Sequence, residues 1–359
     1  MDQNYIIEDI REIECFKDKT FSGFKKIDVI KALIKSVEKC EIEHACNWIT
    51  ECIISGYSIE ILDKLIVLSS KIIHINSPSL PNFLWRKYQI FYNTIDTIDL
   101  KKQKQLFIHF RNNQVIRNLL FDITSTITTS PKSKRYDKYS KIKEQIDFNF
   151  ENIKKRLKAQ ANYCPDDLFK FTDPDDIRII INELMLHFKN TNTGYEYSSY
   201  WLSWIIQWEK INKKNKIKWE IDERNIKGIK KEYCKDILWL VWSAILYEAR
   251  YRDDNTKLQI ISLYNLYKSN FTLPRRNMKI PLLYHAIGYL THCIEYSIPI
   301  RTNKQIFIQT QCNANIMFKM KKNNEKNDKP KSILQKKPDV KSEQTNDKFS
   351  IMNDIDMMK

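Results

Sequence analysis

The segment Asp28–Leu80, DVIKALIKSVEKCEIEHACNWITECIISGYSIEILDKLIVLSSKIIHINSPSL, decides the fold class, because it reads as three short helices closed by a proline turn. In the first, Ile27, Ile30, Ile34 and Val37 recur at steps of three and four with Leu33 beside them, while Lys31, Lys35 and Glu38 face away. In the second, Ile42, Ala45, Ile49 and Ile53 repeat the stripe and Trp48 and Cys52 widen it; Gly56 falls where a left-handed residue ends a helix. Ser58 is the expected N-cap of the third, Glu60 suits the positive end of its dipole, and Ile61, Leu62, Leu65, Leu68 and Ile72 form its apolar face. Ser77-Pro78-Ser79-Leu80-Pro81 stops that helix and sets up another.

Outward from this segment the helical period continues. Phe83, Leu84, Tyr88 and Phe91 share a face over Asn82–Tyr92, and a further helical stretch covers Lys101–Ile123. A helix follows over Lys141–Ala159. Asp173-Pro174-Asp175-Asp176 is a helix start, with Asp173 as cap, Pro174 at the first helical position and two acids at the positive dipole end. Trp201, Trp204 and Trp208 recur at three and four, the spacing of a core stripe and also of a base-stacking platform. Asp236–Tyr251 is strongly apolar, Thr256 is the expected cap of the next helix, and Pro281 the opening of a last one through Ile294. The alternation of a half-buried strand is nowhere sustained, so the expected fold is all-α.

The expected organisation is a helical domain over 1–123, a linker over 124–140 (polar, basic and proline-containing), and a second helical domain over 141–318. Residues 319–345 are lysine-rich with few apolar side chains, the composition of a disordered linker. The terminal stretch 346–359 regains apolar residues: Phe349, Ile351, Met352, Ile355 and Met358 are candidates for a partner-binding motif, since 351, 355 and 358 share a helical face.

Within the opening segment, Ile34-Lys35-Ser36, a short acidic turn, Ala45, Trp48, Ser55-Gly56, Leu65, Leu68-Ser69-Ser70, Ile73 and Pro78 resemble the C-terminal, collar-type helical region of clamp-loader-like ATPases of the Werner-interacting (MgsA) family. The pattern departs from the family at Lys71 and Ile72, where an acidic pair follows the serine, and the ATPase module has no counterpart. The resemblance implies an oligomerising helical hairpin, a protein partner and a place near DNA replication. In overall composition the chain also resembles helical proteins of large cytoplasmic DNA viruses, which implies host cytoplasm or virion as its location. The two functional expectations are therefore a non-enzymatic binding or assembly module and, as the alternative, a virion-packaged protein that binds nucleic acid nonspecifically.

Composition narrows the chemistry. Glycine occurs five times, at 23, 56, 194, 228 and 288, so neither a P-loop nor a dinucleotide fingerprint, each needing clustered glycines to let backbone approach phosphate, can be built. No cofactor is expected. Eight cysteines without a CxxC pair, and an N-terminus without a secretory pattern, point to an intracellular, reducing compartment. The longest apolar run, Ile237–Tyr247, is too short for a membrane span. Cys40 and His44 lie four apart with Cys46 near, but no second pair completes a tetrahedral zinc site, so no metal is expected. The formal charge of +16 favours DNA or RNA as a partner, although A+T-rich coding yields lysine without such selection. The candidate phosphate contacts are Lys132, Lys134 and Arg135; Lys154, Lys155, Arg156 and Lys158; and Arg275 and Arg276, which follow Pro274 at an expected turn.

Overall fold

The computed structural model describes residues 5–96, 110–133, 141–301 and 304–326, and among them every regular element is a helix. The opening hairpin is α1 (Lys26–Glu38) and α2 (Ile42–Ile54), followed by α3 (Ser58–Ile72). The α1 stripe is centred on Leu33, with Val29, Ile30, Ser36 and Val37 buried around it, whereas Ile27 is 66% exposed. At about 100° per residue Ile27 lies well round the helix from Leu33, which explains why the expected stripe is rotated. Gly56 does end α2, with φ of 81° and the Tyr57 amide on the Cys52 carbonyl at 2.9 Å. Cys40 ends α1 in the same way, at φ 63°. Ser58 is not a cap: it lies inside the first turn of α3, Tyr57 takes the cap position, and the buried Ser58 hydroxyl has no hydrogen-bond partner among the described residues.

Next come α4 (Leu80–Asp96) and α5 (Gln114–Thr129), the latter capped by Asn113, whose side chain accepts the Ile116 amide at 3.1 Å. The expected linker at 124–140 thus starts inside a helix. Most of its hydroxyls find a partner one turn back, Ser125 on the Phe121 carbonyl at 2.8 Å and Thr128 on the Thr124 carbonyl at 2.7 Å, which lowers the cost of burying this polar run.

The remaining helices are α6 (Glu144–Asp147), α7 (Phe150–Arg156), α8 (Asp175–Phe188), α9 (Gly194–Lys214), α10 (Ile237–Ala249), α11 (Asp254–Lys268), α12 (Leu273–Thr291) and α13 (Lys304–Lys322). Three expected helix starts move. Asp173 does not cap α8; it is buried, paired with Arg224, and accepts the Lys170 amide at 2.9 Å, which ties down the loop after α9. Asp253 rather than Thr256 caps α11, accepting the Thr256 amide at 3.0 Å. Pro281 lies within α12, which begins eight residues earlier beside Pro274.

Helices from the two expected domains pack together. α12 lies against α3, α8, α9, α10 and α11; α11 lies against α4; and α13 covers α2 and α5. Polar bonds stitch the same seam: Arg275 to Asp63 at 3.2 Å, Tyr289 hydroxyl to the Pro78 carbonyl at 2.5 Å, and the Asn82 amide to Gln259 Oε1 at 2.9 Å. The described residues among 5–7 and 12–325 accordingly form one compact unit where two domains were expected. A second, small unit comprises, among the described residues, 8–11 and 326; in it Asp9 accepts from Arg11 Nη2 at 2.6 Å and from the Lys326 amide at 3.0 Å. The start of the expected disordered linker, Lys319–Lys322, is helical in α13, while the rest of it beyond 326 and the motif at Phe349–Met358 lie outside the described residues.

His285, fully buried in the seam, has Nδ1 3.0 Å from Ser70 Oγ, and burial beside His74 holds its pKa well below the ordinary histidine value. With the folded pKa depressed, the unfolded chain binds the extra proton once pH falls below about 6.5, so stability drops as acid is added. One proton corresponds to at most about 1.4 kcal/mol per pH unit. Urea unfolding across that window should show a shallower acid dependence for His285→Gln than for the parent; identical slopes would disprove the assignment.

Candidate nucleic-acid interface

Lys154, Lys155, Arg156 and Lys158 lie in the last turn of α7 and just beyond it, and all four are exposed. Their placement follows from how α6 and α7 are held on α9. The expected continuous helix over Lys141–Ala159 breaks at Phe148-Asn149, because Asn149 Oδ1 accepts the Glu151 amide at 3.1 Å and starts α7 afresh. Before the break, buried Asp147 accepts the Tyr200 hydroxyl at 2.9 Å and the Lys143 amide at 2.7 Å, and its carbonyl takes the Trp204 indole N–H at 2.9 Å. Phe148 stacks on Trp204 with centroids 4.6 Å apart.

After α7 the chain is fixed again. Glu183 Oε1 accepts the amides of Lys158 at 2.8 Å and Ala159 at 2.5 Å, while its other oxygen is 3.2 Å from His187 Nε2. Burial pushes the Glu183 carboxyl up, but His187 and these two amides outweigh it and hold the group below the usual carboxylate range.

Arg156 turns back onto the body, 3.6 Å from Asp147 and 4.4 Å over the Tyr200 ring. Lys154, Lys155 and Lys158 pair with no carboxylate among the described residues. Exposed Lys213 and Lys214 close α9, and Lys214 lies 3.8 Å from Glu144 at the start of α6. The result is a cationic strip on a short, doubly anchored helix. Phe150, the first residue of α7, is 74% exposed beside it.

The other candidates are used internally. Lys132 directs its ammonium to the carbonyls of Ile127, Thr128 and Ser130 at 2.8, 2.9 and 2.8 Å, closing the C-terminal end of α5. Lys279, which does not stand out in the sequence, does the same for α11, and burial pulls its pKa down to about 8. Arg275 and Arg276 sit in the first turn of α12 rather than in a turn free of helix; Arg275 pairs with Asp63, and Arg276 with Glu209 at 2.6 Å and with Asp236. Their charge is already matched. Trp201, Trp204 and Trp208 are buried, which rules out the stacking-platform reading of that stripe. Lys134 and Arg135 lie outside the described residues.

No chemistry gathers elsewhere among the described residues. Cys46 is buried, with burial pushing its thiol up to about 12, whereas Cys40 is exposed, and among the described residues no group of three potential ligands could hold a metal ion. A cleft of about 470 Å³ at the ends of α8 and α12 contains Arg252, Asp253 and His292. Their polar atoms serve as caps: Arg252 donates to the Phe188 carbonyl at 2.8 Å, Asp253 starts α11, and His292 Nδ1 lies 3.0 Å from the Gly288 carbonyl. No helix among the described residues is long and apolar enough to cross a membrane. No family model, curated protein or solved structure matches this chain.

Proposed function

We propose that this is a non-enzymatic helical binding protein whose partner is a nucleic acid, held along the cationic strip of α7. The observation that carries this reading is that Lys154, Lys155 and Lys158 remain exposed and without acidic partners on an anchored helix, while the other described candidates are engaged inside the fold. A second observation bears on the charge itself. Among the described residues the buried ionisable groups are seven carboxylates (Glu51, Asp63, Asp122, Asp147, Asp173, Glu183 and Glu248) against five cations (Arg111, Arg117, Arg224, Arg276 and Lys279). These buried groups therefore carry net negative charge, and the residues outside them are more cationic than the formal +16 of the whole chain.

The collar-type assembly reading of residues 28–80 rests on their order of three helices. It is the weaker of the two because their apolar faces already pack against α5, α12 and α13, which leaves little to pair with another subunit.

Charge reversal tests the proposal. The triple variant Lys154→Glu, Lys155→Glu, Lys158→Glu should bind DNA at least ~10-fold more weakly at low salt, and the slope of log affinity against log salt should fall by about 0.9 for each duplex phosphate that the variant no longer neutralises. Unchanged affinity and slope in that variant would refute it.

A further inference from the structure

Resting on that reading, we infer that the strip is built for single-stranded nucleic acid, with Phe150 as the stacking platform and Lys154, Lys155 and Lys158 as the phosphate contacts. Position explains why Phe150 is open for this. Ile153 in α7 and Phe148, the residue before its cap, pack against the body, Phe148 on Trp204. Phe150 belongs to neither contact and keeps 74% of its surface in water.

A large aromatic side chain left that open gains free energy when a flat partner covers it. Phe150 and Lys154 are four apart on one helix, so they are neighbours on its surface, about 5–6 Å between their Cβ atoms. That separation suits a base over the ring while its backbone phosphate meets the ammonium groups further along α7. The platform is also preorganised: Asn149 holds its start and Glu183 the backbone just after it, so little side-chain or loop entropy is lost on binding.

A duplex satisfies only half of this site. Its phosphates can reach the lysines, but its bases are stacked inside and present no face to the ring. An anionic membrane is the other surface that takes an aromatic and lysines together. It fits less well, because exposed Glu151 and half-buried Asn152 adjoin Phe150 and would be drawn into the headgroup layer with it, and the helix has only 7 residues to lie along that plane.

The test uses the full chain and fluorescence anisotropy with an oligothymidine of about 12 nucleotides, a duplex of equal length, and vesicles containing phosphatidylserine. Phe150→Ala should weaken oligothymidine binding by about 10-fold, the loss of one stacked base, and duplex binding by less than about 2-fold. Phe150→Trp should restore single-strand binding. Because Phe150 is exposed, both variants should melt with the parent. If Phe150→Ala binds oligothymidine like the parent while the triple lysine reversal does not, the stacking inference fails and the nucleic-acid reading stands. If neither change matters, both fail. If Phe150→Ala loses vesicles but not oligothymidine, the partner is a membrane and the inference is overturned.

Discussion

Arg276→Met should destabilise the protein by roughly 3–5 kcal/mol, the loss seen when one partner of a buried ion pair is removed and the other is left behind. Arg276 is 8% exposed at the start of α12, where it meets Glu209 from α9 and Asp236, the cap of α10. Three helices converge on one guanidinium. Burial raises the Glu209 carboxyl above its usual range even with Arg276 present, so the variant would leave it and Asp236 facing each other without compensation. Arg275, one residue earlier, has a side chain 41% exposed, and Arg275→Met should cost on the order of 1 kcal/mol or less. Urea midpoints for the two variants decide the matter: similar losses would mean that the Arg276 cluster with Glu209 and Asp236 does not carry the difference. Neither variant should alter nucleic-acid affinity, since both charges are engaged within the body.

Gly194→Ala should cost roughly 3 kcal/mol, the upper part of the range for forcing atoms into filled space. Gly194 opens α9 where the chain turns back from α8, and a Cβ there would lie 2.4 Å from the His187 carbonyl oxygen and 3.2 Å from Thr291 Cγ2. The obstructing atom is backbone at the end of α8, so relief requires moving one helix against another. Gly228 offers the contrast: its φ is +86° but a Cβ would meet nothing within 4 Å, so Gly228→Ala should cost only the left-handed strain of about 1–2 kcal/mol. Should Gly194→Ala prove the milder of the two in thermal melts, the close approach of α8 and α9 is not as described.

What the sequence showed and what it hid divide along a physical line. Helix type and the opening hairpin were readable because a stripe such as Ala45, Ile49, Ile53 and a terminator such as Gly56 are local properties. The run Thr124–Ser130 is polar locally, and only the packing of its helix against α1–α4 and against α13, far away in the chain, decides that it is buried. No window of sequence contains that information, which is why the chain does not divide into the two expected domains. The basic cluster at 154–158 was visible as a run of like charges. Phe150 was not, since a phenylalanine at a helix start reads as core until the neighbouring Phe148 is seen to take the contact. Lys132 and Lys279 were obscured in another way: a cation that can reach a helix end, from just beyond it as Lys132 does or from the next helix as Lys279 does, can either cap it or reach outward, and the choice depends on burial. Lys132 carried a hint in its position two residues after Ser130, near the negative end of α5.

The seam between α3 and α12 also sets a timetable for synthesis. Ser70 and His285 are 215 residues apart, so at roughly 5–20 residues per second a ribosome needs about 10–40 s after making α3 before its partner helix exists. During that interval the side of α3 that meets α12, Ser70 among it, lacks that partner, and the packing of α3 stays incomplete. The final collapse of the chain must therefore come late, with the closing of contacts that span most of its length.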